Sequence, residues 1–348
     1  MGSPVRIIQE HPLASFLVGA FVISWIINAL PVIIPGGESY VVIFGLLTAF
    51  GPAIAAIVVS AVCAPARVPS SPVLRWGSFA ALFAALFLLF VFTATSIGLV
   101  AKMDTLAVVL GAILAALAAF TISSGFSGIQ GVRTLMGSLF QWRAGARWYL
   151  AALFIYPAVN IVALAILLLG EGSPADIGAS FRGISIPLLS LMVIAVLMDG
   201  PVGEEPGWRG FALPRLQFSY SPLVASLILA VIWAVWHAPL HFTGYYPEAA
   251  GFFPLFLRIV YELPVTVLYT WVYNHTRGSL LLATLLHASN DVTGVFIPVS
   301  AQVFYANPFF LTLLAVLFVV AAVIVIRDRM WERTNDPAIT APGPGAVA

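Results

Sequence analysis

The sequence predicts an all-α, polytopic membrane protein of about ten transmembrane helices (eight to ten) with a polar site inside the membrane. Three observations predict it. Of 348 residues, 61% are hydrophobic and 8% charged, and mean hydropathy is +1.05, whereas a soluble domain carries about 25% charged residues. The apolar residues run continuously, not in alternating ten-residue segments, so helices rather than a barrel satisfy the backbone in the bilayer. Ionisable residues within the apolar runs gather in one stretch of the chain.

Runs long enough to span fall at 13–35, 41–64, 77–99, 106–124, 148–169, 187–203, 223–243, 252–274, 279–299 and 309–326. Turn chemistry separates them at Pro35-Gly36-Gly37, Pro65 to Pro72, Ser219 to Pro222 and Arg277-Gly278. The first run has no small-residue cleavage site and reads as a transmembrane helix, not a removed signal. The chain divides into a cytoplasmic N-terminus (1–12), N-terminal transmembrane helices (13–186), a core carrying the polar residues (187–299), and a last helix with a disordered polar tail (300–348).

Basic residues set the expected orientation. With ten spans, one side holds Arg6, Arg67, Arg75, Arg133, Arg143, Arg147, Arg209, Arg215, Arg277, Arg327, Arg329 and Arg333, and the other only Lys102 and Arg182. The expectation is a multi-pass protein of the cell membrane with both termini cytoplasmic. A formal net charge of +1 argues against nucleic acid as a partner, leaving the lipid bilayer and its contents. Cys63 is the only cysteine, which excludes an intrachain disulfide, and its apolar run is a poor setting for a thiolate.

Ionisable groups at membrane depth cost roughly 2.5–3.5 kcal/mol each on insertion scales and mark function by default. Here they form three groups: Asp199 to Gly210 with Glu204, Glu205 and Arg209; Trp233 to His241 with His237; and His287 with Asn290 and Asp291. Glu205 and Arg209 are spaced i,i+4 with the acid first, the favoured order for an ion pair. Glu204 points about 100° away on a helix, which leaves it free to act as a base. If the sixth helix continues to Gln217, Glu204 and His237 lie about 20 and 22 Å from the same turn, and His287 about 15 Å from the Arg277-Gly278 turn. The three then meet at one depth, in a cavity open toward the cytoplasmic side. Pro206 is expected to kink the sixth helix. His237 and His241 share a helix face at i,i+4, a spacing that binds zinc, although Pro239 intervenes and no H-E-x-x-H is present. His241 is a secondary candidate. Either Asn290 or Asp291 serves as partner of His287. Asp199 and the Arg258/Glu262 pair read as structural polar contacts.

In order, Glu204-Glu205-xxx-Arg209, Trp233-xxx-His237 and His287-xxx-Asp291 resemble the CPBP family of intramembrane proteases, which covers type II CAAX prenyl endopeptidases and bacteriocin-processing or immunity proteins. Trp233 stands where that family has Phe, and Asp291 where Asn is commonest. The resemblance implies a CAAX protease-like endopeptidase, with residues 187–299 as its catalytic core. In it Glu204 activates water, His237 and His287 orient that water and stabilise the oxyanion, and Arg209 holds the helix end. Its substrate is a membrane-associated protein or peptide, such as a prenylated CAAX protein or a leader peptide. The family has been read both as metalloprotease, with a divalent metal such as zinc on Glu204, His237 and His287, and as metal-independent glutamate protease. The metal-free reading is preferred. Two other classes compete: a non-enzymatic immunity or binding protein, and a proton-coupled transporter. A transporter favours paired repeats with interrupted helices in both halves, whereas polarity here is confined to one.

Overall fold

The structure is a computed structural model that describes residues 3–98, 103–171, 185–246, 249–296 and 307–341. Among these the regular structure is helical, apart from one isolated antiparallel bridge between Arg67 and Ile129. Among the described residues ten longer helices form the bundle: α1 (Pro12–Ile33), α2 (Gly37–Cys63), α3 (Pro72–Ile97), α4 (Thr105–Phe126), α5 (Ala146–Gly170), α6 (Ile186–Ser219), α7 (Pro222–Trp236), α8 (Phe252–His275), α9 (Leu280–Phe296) and α10 (Pro308–Arg327). Eight are long and apolar enough to cross a membrane. The other two, α7 with 15 residues and α9 with 17, are shorter. At 1.5 Å per residue they reach about 22 and 25 Å, less than the roughly 30 Å hydrocarbon core. The eight lie within the expected range, and the two short helices are the carriers of the histidines.

Several starts are written in the sequence. Ser71, Ser185, Ser221 and Asn307 each accept a bond from the backbone N–H three residues on, and a proline occupies the first or second helical position after each. Both devices satisfy or remove donors that a helix start leaves unpaired. The expected seventh span, 223–243, is corrected: α7 stops at Trp236 and a tighter turn follows over Ala238–His241. Pro239 has no N–H to offer the carbonyl four residues back, so the helix cannot run on.

The sixth helix continues to Ser219, well past the expected boundary at 203. It breaks at Met198 and Asp199, where Asp199 is extended, and resumes at Gly200. Pro201 lacks the N–H that would bond the carbonyl of Leu197, which explains the break. Between Trp208 and Ala212 the helix widens into a π-turn, closed by Leu213 N–H on the Trp208 carbonyl. The wider turn moves the Gly210 carbonyl away from the ring of Pro214, so this proline passes without ending the helix.

Helix α6 approaches α2 backbone to backbone. A Cβ on Gly203 would lie 2.5 Å from the Ala49 carbonyl oxygen, and one on Gly207 would lie 2.6 Å from Pro52 Cβ. This is a small-xxx-small contact of the kind that lets membrane helices close on each other. It presses the two glutamates against the rest of the bundle. Two apolar clusters flank it, one around Phe44, Phe50 and Phe90, and a larger one around Trp208, Phe211, Tyr269 and Leu286.

In the expected polar tail, residues 328–341 fold back onto the bundle, while the end expected to be disordered is not among the described residues. Met330 and Ile339 are buried there, Met330 accepts from Leu223 N–H, and Ala341 N–H donates to Pro214. Two apolar anchors in an otherwise polar segment are enough to seat it. Residues 342–348 lie outside the described residues, as do Lys102 and Arg182.

Candidate active site

A helix break, a helix end and the middle of a third helix build the site. Glu204 stands in the second turn of the resumed α6, His237 caps the C-terminus of α7, and His287 lies midway along α9. All three line one cavity of about 100 Å³, together with Thr48, Asp199, Gly200, Tyr245, Tyr246, Arg258 and Asp291. A water needs about 10–15 Å³ of such volume, so the space holds several. The three are nearly buried, at 4%, 5% and 5% exposure.

Gly200 marks how close two of them come. A Cβ there would sit 2.9 Å from Glu204 Oε1 and 2.9 Å from His287 Nε2. One water can therefore lie between that oxygen and that nitrogen. The helix break supplies the glycine, and nothing in the three motifs points to it.

The two glutamates divide as their helical phase requires. Glu205 Oε1 accepts from Arg209 Nη1 at 3.0 Å, and both side chains are fully buried. Glu204 makes no bond to that arginine. Its Oε2 instead accepts from two indoles, Trp208 Nε1 at 3.2 Å and Trp233 Nε1. A carboxylate bonded through one oxygen presents the other to the cavity. The aromatic of the second motif thus holds the glutamate of the first, and a phenylalanine there could not do so. Arg209 lies 4.1 Å from the ring centres of both Trp233 and Tyr269, a cation–π sandwich that compensates for its burial.

The partner of His287 is one that spacing along its own helix cannot reveal. Nδ1 lies 2.7 Å from Glu205 Oε1, the oxygen that also serves Arg209. Asp291 Oδ2 stands 3.6 Å from Nε2, too far for a hydrogen bond and close enough for an ion pair with a charged ring. Asn290 turns elsewhere and accepts from Tyr261 Oη at 2.9 Å. His237 Nδ1 is 2.8 Å from the Trp233 carbonyl oxygen.

Three expectations change. His237 and His241 do not share a helix face, because α7 ends between Trp236 and the turn that carries His241. His241 Nδ1 bonds the Ala249 carbonyl at 2.7 Å, and the residue is not on the cavity wall. Asp199 and Arg258 do line the cavity, although polar spacing alone reads as structural contact. The cavity also lies at the far end of the α6–α7 hairpin from its turn at Tyr220 and Ser221, and is walled there by Tyr245 and Tyr246.

Glu204 gives one oxygen to two indoles, His237 engages the Trp233 carbonyl, and His287 has a carboxylate near each nitrogen. Among the described residues no group of three or more His, Cys, Asp and Glu is placed to hold a metal ion, so the residues as placed do not form a Glu204–His237–His287 ligand set.

Fold and site together define a polytopic helical membrane protein with a buried, water-sized Glu–His cavity. Residues 186–293 match the family described as Type II CAAX prenyl endopeptidase Rce1-like. CAAX prenyl protease 2 of Methanococcus maripaludis is 28% identical over 186 residues, which cover 50% of this chain and 64% of that protein. The chain thus aligns with less than two thirds of that relative's length. The resemblance to CPBP-type CAAX proteases carried by the three motifs is borne out.

Proposed function

We propose that the protein is an intramembrane endopeptidase of glutamate type, in which water activated by Glu204 hydrolyses a peptide bond of a membrane-associated protein or peptide. The observation that carries the reading is the position of Glu204 Oε1. It faces a cavity that holds several waters and lies beside His287 Nε2, while Oε2 is fixed by two indoles. A carboxylate so held takes a proton from water without moving. His287, aligned by Glu205, and His237, aligned by the Trp233 carbonyl, position that water. Arg209 fixes Glu205 and so acts through His287. Asp291 supports the outer nitrogen of the same ring, whereas Asn290 acts on helix packing through Tyr261.

The substrate class, a membrane-associated protein such as a prenylated CAAX protein, is part of the proposal and is supported by the similarity to CAAX prenyl protease 2. So are the cell membrane as location and cytoplasmic termini, which rest on the 12 to 2 division of basic residues. A C-terminal reporter that reads outside the cytoplasm would remove the orientation. The deciding experiment is cleavage of a library of membrane peptides by purified wild type and Glu204→Gln side by side. Cleavage lost in the variant, with folding intact, supports the reading. Equal cleavage by both removes Glu204 as the base. Activity that persists after strong chelation, with no metal by elemental analysis, supports the metal-free form.

A further inference from the structure

We propose that Arg258 supplies the donors that stabilise the oxyanion formed on the scissile carbonyl, a role that no motif assigns. The inference rests on Glu204 as the base and names a second group on the wall of the same cavity.

The histidine geometry opens the question. The Trp233 carbonyl can only accept, so His237 Nδ1 carries the proton of that 2.8 Å bond. A neutral His237 therefore presents a lone pair at Nε2 and has nothing to donate to an oxyanion. His287 gives its Nδ1–H to Glu205, and its Nε2 already lies between Glu204 Oε1 and the Asp291 carboxylate. Glu204, Asp199 and Asp291 are acceptors when ionised. Reaction in this cavity generates a further negative charge, and acids already crowd its wall.

Arg258 is on that wall, 7% exposed, in the second turn of α8 after the loop that carries Tyr245 and Tyr246. Its Nη2 is 3.4 Å from Glu262 Oε1 and its Nη1 is 3.3 Å from Tyr246 Oη. These two contacts hold the guanidinium in place. A guanidinium has five donors and stays charged at any working pH, so it serves both neighbours and a substrate oxygen together. Donors fixed in advance where charge develops in a water-poor site are the strongest form of such stabilisation.

The step balances as follows. Glu204 takes one proton from water as the water oxygen bonds the carbonyl carbon, and the C=O π pair moves to oxygen facing Arg258. The tetrahedral species then re-forms C=O and breaks C–N, and the leaving nitrogen takes the proton held by Glu204. Peptide and water give a carboxylic acid and an amine.

The test uses the purified full-length protein with a substrate that the wild type cleaves. Removal of Arg258 alone would strand Glu262, so the main variant is Arg258→Met/Glu262→Gln. The double variant should lose about 100-fold or more in kcat, as expected for one oxyanion donor, with KM within about threefold. A double variant within about threefold of wild type in kcat would overturn the proposal. So would a loss confined to KM, which marks ground-state binding. If the double variant does not fold, Arg258→Lys decides. It keeps the charge toward Glu262 and loses the fork, so a tenfold fall in kcat at constant KM supports the proposal, and an unchanged rate overturns it. Glu204→Gln run in parallel separates the two claims. An active Glu204→Gln beside inactive Arg258 variants would remove the base and leave Arg258 standing.

Discussion

Glu205→Gln is the most informative single substitution, because two groups share the oxygen it alters. Arg209 is fully buried and bonds that oxygen at 3.0 Å, and His287 Nδ1 lies 2.7 Å from it. Removing one partner of a buried ion pair costs about 3–5 kcal/mol, since the other charge is left uncompensated. Here Trp233 and Tyr269 sandwich the guanidinium at 4.1 Å each, and a desolvated cation–π contact contributes up to about 2 kcal/mol. The amide also still accepts one hydrogen bond. The expected loss is therefore at the low end, about 2–3 kcal/mol, a large share of the 5–15 kcal/mol typical of a folded domain. His287 loses the carboxylate that aligns it, so cleavage should also fall in the fraction that remains folded. Thermal unfolding in detergent and single-turnover cleavage, measured together, check both effects. The double variant Glu205→Gln/Arg209→Met removes both charges and should recover most of the stability but not the activity. A Glu205→Gln protein as stable and active as wild type would refute the argument, and a double variant less stable than either single variant would refute its electrostatic form.

Other outcomes follow from particular contacts. Gly200→Ala should fold and yet lose at least about tenfold in cleavage rate, because its Cβ would sit 2.9 Å from both Glu204 Oε1 and His287 Nε2; steady-state rates beside a melting curve check this. Trp233→Phe should lower kcat by removing one N–H from Glu204 while keeping the ring over Arg209, at about 1.5–3 kcal/mol for a hydrogen bond to a charged group; an unchanged kcat would count against the clamp. Asn290→Ala should cost about 1 kcal/mol of stability through Tyr261 and leave kcat near wild type, whereas Asp291→Ala should lower kcat, a contrast read in one kinetic series. Gly207→Val should impair folding outright, since its side chain has no room beside Pro52; a monodisperse, wild-type melting profile would contradict the close α2–α6 approach.

Much of this molecule is legible along the chain because a bilayer enforces simple rules. Apolar run length gave the helices, and the turn chemistry at Pro65 to Pro72 and Ser219 to Pro222 separated them. The i,i+4 spacing correctly paired Glu205 with Arg209 and left Glu204 apart. What stayed hidden lies between helices. His287 is aligned by Glu205, 82 residues away, and spacing within α9 could suggest only Asn290 or Asp291. Gly200 and Arg258 reach the cavity through a helix break and a loop that no periodicity marks. Pro239 did carry a signal that α7 ends early, and a stricter reading of it separates His237 from His241 without a structure. The pair Gly203 and Gly207 was also readable as a small-xxx-small contact within the glutamate motif itself.

The π-turn at Trp208–Ala212 gives helix α6 a second phase. An i→i+5 closure is what a helix shows when one residue more than the regular count occupies a turn. Everything before it, with Glu204 and Glu205, keeps step with the helix break at Asp199, while everything after it, with Arg215 and Gln217, is set back by roughly one residue's rotation, about 100°. The arginine of the first motif stands at the seam. The two ends of α6 are thereby decoupled: its upper half can be clocked to the reacting groups, and its lower half to the folded-back tail that Gln217 and Pro214 hold. Deleting one residue between Trp208 and Ala212 would bring both halves back into one register, and only one of the two could then keep its neighbours.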